Sequence, residues 1–216
     1  MAAPSGAPTA LDVITMGRCS IDLYGQQIGS RLEDMASFAK SVGGSPSNIA
    51  IGTARLGLRS GLITRVGDEQ MGRFVLEQMA REGVSTKGIA TDPARLTSLV
   101  LLAVESDKSF PLIFYRDNCA DSALSEADVS EDFIRSAAAL LVTGTHFARE
   151  VNDKAQRKAM ALAKKHGRRI VIDIDYRPNL WGLAGHGAGE ERYIKSDMVT
   201  SHLQSILADC DLIVGT

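Results

Sequence analysis

Short apolar runs rich in branched residues recur along the chain, and stretches with helical spacing separate them. Leu11-Asp-Val-Ile-Thr-Met16 reads as a buried strand that ends at Gly17. Ser45-Pro-Ser-Asn48 reads as a helix start, with Ser45 able to cap and Pro46 preset for the first turn. That helix carries Ile49, Ala50, Ala54 and Leu58 on one face, with Gly57 near its end. Gly61-Leu-Ile-Thr-Arg-Val66 is the next strand. Met71, Phe74, Val75, Gln78 and Met79 then mark a helical face stopped by Gly83. Residues 97–105 and 111–116 are two extended runs, read as an antiparallel hairpin that forms a small separate flap. Further on come a strand at 139–143, a helix at 149–166, a strand at 169–175, a helix near 190–208 and a strand at 212–214. Strands separated by helices imply an α/β architecture, a mostly parallel sheet with helices on both faces.

Composition narrows the function classes. The 216 residues suffice for one large domain or two small ones. With 44% hydrophobic and 23% charged residues, neither a collagen nor a disordered chain is in view. Twenty-four basic against 26 acidic side chains leave no cationic field, so no nucleic-acid partner is expected. No apolar run approaches the roughly 18 residues of a membrane span, so no membrane partner is expected either. The odd count of three cysteines, without close pairs, fits neither a disulfide framework nor a C-x-x-C metal site and points to a reducing cytoplasm. Residues 1–10 have no basic start or apolar core, which excludes a secretory signal and suggests a disordered tail.

In sheets of this kind, ligands bind beyond the carboxyl ends of the strands. Four polar clusters follow strand ends here: Gly17-Arg-Cys-Ser-Ile-Asp22, Val42-Gly-Gly-Ser-Pro-Ser-Asn48, Tyr115-Arg-Asp117 and Asp173-Ile-Asp-Tyr-Arg-Pro-Asn-Leu-Trp181. Gly43-Gly44 lets backbone approach a ligand, or simply makes a tight turn. Asn48 can donate to and accept from a sugar hydroxyl. Asp22 can accept from hydroxyls or cap a turn. Arg116 and Arg177 suit a bidentate grip on an acidic ligand, with surface salt bridges as the alternative. Asp173 and Asp175, two apart on a strand, would share a face and organise magnesium-bound water, cap backbone amides or pair with Arg177. His146 lacks a paired nucleophile. No G-x-G-x-x-G follows the first strand, which argues against a dinucleotide-binding oxidoreductase.

Together these clusters resemble the PfkB-type, or ribokinase-like, carbohydrate kinases over about residues 11–216. The segments that carry the resemblance are Gly-Gly-Ser-Pro-Ser-Asn-Ile-Ala-Ile-Gly (43–52), Arg-Leu-Gly-Leu (55–58) and Arg-Val-Gly-Asp-Glu-Gln-Met-Gly-Arg-Phe (65–74). Tyr115-Arg-Asp117 and the 173–181 segment narrow it to members acting on keto sugar acids, with 2-keto-3-deoxygluconate or fructose as the runner-up substrate.

The resemblance implies a Rossmann-like α/β domain with a small β-stranded lid from segments near 22–42 and 97–116, ATP and Mg2+ as cofactors, and a homodimer formed through the lid. It implies that Asp22, Gly43, Gly44 and Asn48 contact sugar hydroxyls, that Arg116 and Arg177 hold the acid end, and that Asp173 and Asp175 lie near phosphates and metal. Many relatives carry asparagine where this chain has Asp175.

The family's Gly-Ala-Gly-Asp motif, bearing the catalytic base, has no equivalent here. Gly187-Ala-Gly-Glu190 lies in the wrong chain order and ends in glutamate. We therefore assign no catalytic residue, and expect an incomplete domain, inactive alone, whose 212–214 strand is continued by a missing ATP-binding part. A non-catalytic sugar-binding half-kinase is the reading from another class.

Overall fold

The computed structural model describes residues 9–215. The tail expected over 1–10 falls, apart from its last two residues, outside them. In chain order the elements are β1 (Leu11–Met16), β2 (Ser20–Gly25), β3 (Phe38–Gly43), α1 (Ser45–Arg55), β4 (Ser60–Gly67), α2 (Gln70–Arg81), β5 (Ser85–Asp92), β6 (Ser98–Leu102) and β7 (Leu112–Tyr115). They continue with α3 (Glu131–Arg135), β8 (Ala137–Thr143), α4 (Glu150–Lys165), β9 (Arg169–Asp173), α5 (Asp197–Leu207) and β10 (Leu212–Val214). Six strands form a sheet in the order β10-β9-β8-β1-β4-β5, and every neighbouring pair is parallel.

Both faces of this sheet are covered, as parallel strands require. Ile14 and Met16 of β1 and Leu140 and Val142 of β8 pack with Ala155, Ala159 and Ala163 of α4 and with Leu203 and Ile206 of α5. The alanines give α4 a thin face, so it sits close against the strands. On the opposite face, Leu62 and Val66 of β4 pack with Ala50 of α1 and with Val75 and Met79 of α2. The period-2 alternation of β4 thus sends Leu62 and Ile63 to different cores.

Four strands form a second, mixed sheet in the order β3-β2-β6-β7. The antiparallel 97–116 hairpin is present, but it is no isolated flap: β6 runs parallel to β2, and Ile21 pairs with Leu99. The chain leaves the main sheet at Gly17, builds β2 and β3, and re-enters it through α1.

Several boundaries differ from the sequence reading. The residue at the N-cap of α1 is Gly44, and Ser45 is already helical; its hydroxyl donates instead to Asp173 at 2.6 Å. Helix α1 ends at Arg55, so Leu58 lies beyond it and is exposed. Strand β9 stops at Asp173, because Asp175 takes a positive φ of 33°, so the two aspartates do not share a strand face. Helix α5 starts at Asp197, where the Ser196 hydroxyl caps the Val199 amide. Strand β5 and the short α3 are additional.

Glycines inside helices separate propensity from packing. A Cβ at Gly52 in α1 meets nothing within 4 Å, whereas one at Gly72 in α2 would overlap the carbonyl oxygen of Gly67. Gly52→Ala should therefore raise stability by about 0.5–1 kcal/mol. Gly72→Ala should lower it by about 1–3 kcal/mol, the overlap outweighing helix propensity. Urea denaturation of both variants checks the opposite signs.

Candidate functional site

At the carboxyl ends of β1, β8 and β9 the second sheet stands over the main one, and two cavities open between them. The larger, about 640 Å³, is lined by Asp22 and Tyr24 of β2, by Gly44 and Asn48 at the start of α1, and by Asp173, Asp175 and Arg177 after β9. Arg192 and the apolar side chains Val100, Leu102, Leu112 and Phe114 complete it. The smaller, about 320 Å³, lies beyond Arg18 and Phe114, the two residues whose side chains line both.

The paired glycines have separate reasons. A side chain at Gly43 would occupy the space of the Asp22 carboxylate, which lies against β3 and accepts from the Ser20 hydroxyl at 2.9 Å. Gly44 has φ 95°, and a Cβ there would press 2.6 Å from the carbonyl oxygen of Arg18. One glycine accommodates a site carboxylate and the other turns the chain into α1. Burial pushes the Asp22 carboxyl above its ordinary pKa, while the Ser20 hydroxyl opposes this. Asn48 is exposed at the cavity mouth.

Arg18 and Asp175 form the centre of the site. The guanidinium donates through Nε and Nη2 to both carboxylate oxygens at 2.9–3.2 Å, and the Thr145 hydroxyl adds a third donor at 3.0 Å. Both side chains are buried. Arg177 approaches the same carboxylate at 3.6 Å. Asp175 is thereby committed to its arginines, whereas Asp173 is held by the Ser45 hydroxyl and the Asp175 amide and lines the larger cavity. Among the described residues no group of three or more His, Cys, Asp or Glu is gathered as a metal cage would require. What remains suits a water-rich Mg2+ held by one carboxylate and a ligand's phosphates, with Asp173 as the fitting residue and Asp175 not.

Arg116 and Arg177, read as a pair from the sequence, do not line a common cavity. Arg177 faces the larger one; Arg116 lies in the smaller one, largely buried and ion-paired with Asp121. The residue that connects the cavities is Arg18, whose cluster the sequence flags without singling it out. Arg192 and Arg149, also on the walls, carry no motif signal at all. Glu190 is remote from any anion-holding role: it accepts from the Phe110 amide at 3.2 Å, at the tip of the β6–β7 hairpin. Burial raises the Cys19 thiol to about 12, which removes it as a nucleophile.

His146 is fully buried, and burial together with the charges of Arg116, Arg18 and Arg149 lowers its pKa to about 3. The unfolded imidazole takes a proton below about pH 6.5, which the native one refuses, so this group's contribution is present above that pH and is lost as pH falls toward 3. His146→Gln should flatten the fall of the urea midpoint between pH 6.5 and 4. A second variant addresses the ion pair: Asp175→Asn keeps a side chain tolerant of positive φ but strips Arg18 of its counter-charge. It should cost about 3–5 kcal/mol, with Arg18→Met recovering much of the loss in the same background. Urea titrations of the single and double variants read both values.

With this geometry in place, comparison with known proteins assigns the class. The pfkB family carbohydrate kinase profile matches residues 10–185. The chain belongs to that family. A 5-dehydro-2-deoxygluconokinase of Geobacillus kaustophilus (strain HTA426) is 39% identical over 208 residues, which are 95% of this chain and 58% of the relative. The enzyme of that name from Bacillus subtilis (strain 168) is 36% identical over 208 residues, 96% of this chain and 60% of the relative. Among solved structures, a PfkB protein from Polaromonas sp. JS666 superposes with a TM-score of 0.83 at 30% identity, covering 94% of this chain and 65% of that one. An uncharacterized sugar kinase from Pyrococcus horikoshii in complex with ATP gives 0.79 at 25% identity, covering 93% and 62%. The chain spans about three-fifths of the length of the curated relatives it matches.

Proposed function

We propose that the protein of which these residues form the sugar-binding portion transfers the γ-phosphoryl group of ATP to a primary hydroxyl of a keto sugar acid, of the 5-dehydro-2-deoxygluconate type met in inositol breakdown. The observation that carries this reading is the composition of the larger cavity. One wall offers Asp22 and Asn48 beside the Gly43-Gly44 turn, groups that match hydroxyls. The same lining offers the guanidinium groups of Arg18, Arg177 and Arg192, which match a carboxylate. The apolar side chains Val100, Leu102 and Phe114 cover the carbon skeleton and exclude water.

In this reading Asp22 accepts from a hydroxyl and orients the sugar, Asn48 both donates and accepts at the mouth, and Arg177 holds the acid end. Arg116 supports that wall from the adjoining cavity. Mg2+ would neutralise charge on the ATP phosphates, and Asp173 would be the residue of this chain that holds it. Phosphoryl transfer also needs a base for the hydroxyl proton and donors for the phosphoryl oxygens. Gly187-Ala-Gly-Glu190, anchored on the hairpin, supplies neither, so the 216-residue chain by itself should bind sugar acid without turnover. A second copy docked through the second sheet is the proposed partner.

Calorimetric titration with 5-dehydro-2-deoxygluconate and with fructose tests the assignment. Arg177→Ala should weaken binding of the acid by about 10–100-fold, the range for a hydrogen bond to a charged group, and leave fructose binding unchanged. Equal losses for both sugars would refute the sugar-acid assignment. ATP-dependent phosphorylation by the 216-residue chain would refute the claim that it is inactive alone.

A further inference from the structure

The smaller cavity is not used by the proposed chemistry, yet its walls are specific. Arg18, Arg116 and Arg149 line it. Arg18 and Arg116 are matched by the buried carboxylates of Asp175 and Asp121, whereas Arg149 has no carboxylate partner among the described residues. Arg149 is also the N-cap of α4, a helix of 16 residues whose first turn receives no side-chain cap. The acidic side chains of that turn are engaged elsewhere, Glu150 with Lys154 and Asp153 with Arg157 and His202. The N-terminus of α4, the positive end of the helix, thus adjoins the cavity at Arg149 and Asn152.

A second observation points to a ligand independently. His146, only 3% exposed, lines the same cavity, and its Nε2 is buried without a hydrogen-bond partner. Asn179, also on the lining, has a buried side-chain oxygen without a partner, an acceptor that only a donor such as a ligand hydroxyl would meet. A buried polar atom without a partner is costly, so the His146 Nε2, as the Nε2–H tautomer, marks a place in this cationic cavity where an anionic ligand completes the bonding. Asp117, the acidic residue of the lining among the described residues, is exposed and lies 3.6 Å from His186.

We propose that this cavity is an oxyanion site that takes a carboxylate- or phosphate-sized group between Arg149, at the N-terminus of α4, and His146. The site does not depend on the kinase reading. Its occupant is either a free small anion or the acid end of a sugar reaching past Phe114, and the chemistry of recognition is the same for both.

The test titrates the 216-residue protein at constant ionic strength with inorganic phosphate in one arm and with gluconate in another, following the His146 ring nitrogens by NMR. Saturable shifts are expected, with affinity reduced tenfold or more in Arg149→Ala, whose exposed side chain can be removed with far-UV circular dichroism unchanged. His146→Gln, followed by calorimetry, should weaken the same event. If phosphate binds in this way and gluconate leaves the ring unmoved, the occupant is a free anion. If gluconate moves the ring and Asp22→Asn weakens gluconate but not phosphate, the acid end of a sugar occupies the site. Absence of a shift with both anions, or an unchanged affinity in Arg149→Ala, would overturn the proposal. Lack of ATP turnover would bear only on the kinase reading.

Discussion

The buried pair of Arg18 and Asp175 is the interaction around which the rest of the site is arranged. The two residues are 157 positions apart, and one follows β1 while the other follows β9. A buried charge is tolerated only when it is paired and its remaining hydrogen-bonding capacity is met. Three donors meet Asp175, two from Arg18 and one from the Thr145 hydroxyl after β8. The pair thus ties the loops of three parallel strands together at the edge where ligands bind. It also stands at the wall between the two cavities, because Arg18 lines both. Charge in either cavity is therefore felt at the same guanidinium.

Close backbone approach is the second constraint. Gly43 leaves room for the Asp22 carboxylate, Gly44 turns the chain from the second sheet into α1, and a Cβ at Gly144 would overlap the carbonyl oxygen of Ile174. Each contact brings a loop of the site against its neighbour at a distance that no side chain allows. The positive φ of Asp175 belongs with them. Aspartate and asparagine are the non-glycine residues most at ease there, so the backbone accepts either, while Arg18 calls for the charged one.

Much of the architecture was legible because burial leaves a period in the sequence. Strand β8 carries a continuous apolar run, β1 and β4 short runs of branched apolar residues broken by a few polar ones, and α2 repeats apolar residues at three- and four-residue intervals. Strand β5, Ser-Thr-Lys-Gly-Ile-Ala-Thr-Asp, has no such run, since as an edge strand it pairs on one side only and is nowhere buried along both faces. Its existence depends on the ladder offered by β4. The cap of α1 was misread for a related reason: Ser45 has the right chemistry for capping, but Asp173 lies within 2.6 Å and takes its hydroxyl. That competitor is 128 residues away in the chain.

By itself, the sequence determined the alternation of strand and helix, the parallel sheet, the family and the polar residues at strand ends, because each of these is written in local periodicity or in a short motif. Only the tertiary structure decided which of those polar residues meet. It set Arg116 and Arg177 on different cavities, took Asp175 out of the strand and paired it with Arg18, joined the hairpin to β2, and set Arg18 and His146 on cavity walls. The physical reason is that a partner in a low-dielectric interior is chosen by distance and burial, and neither is a property of neighbouring letters in a chain.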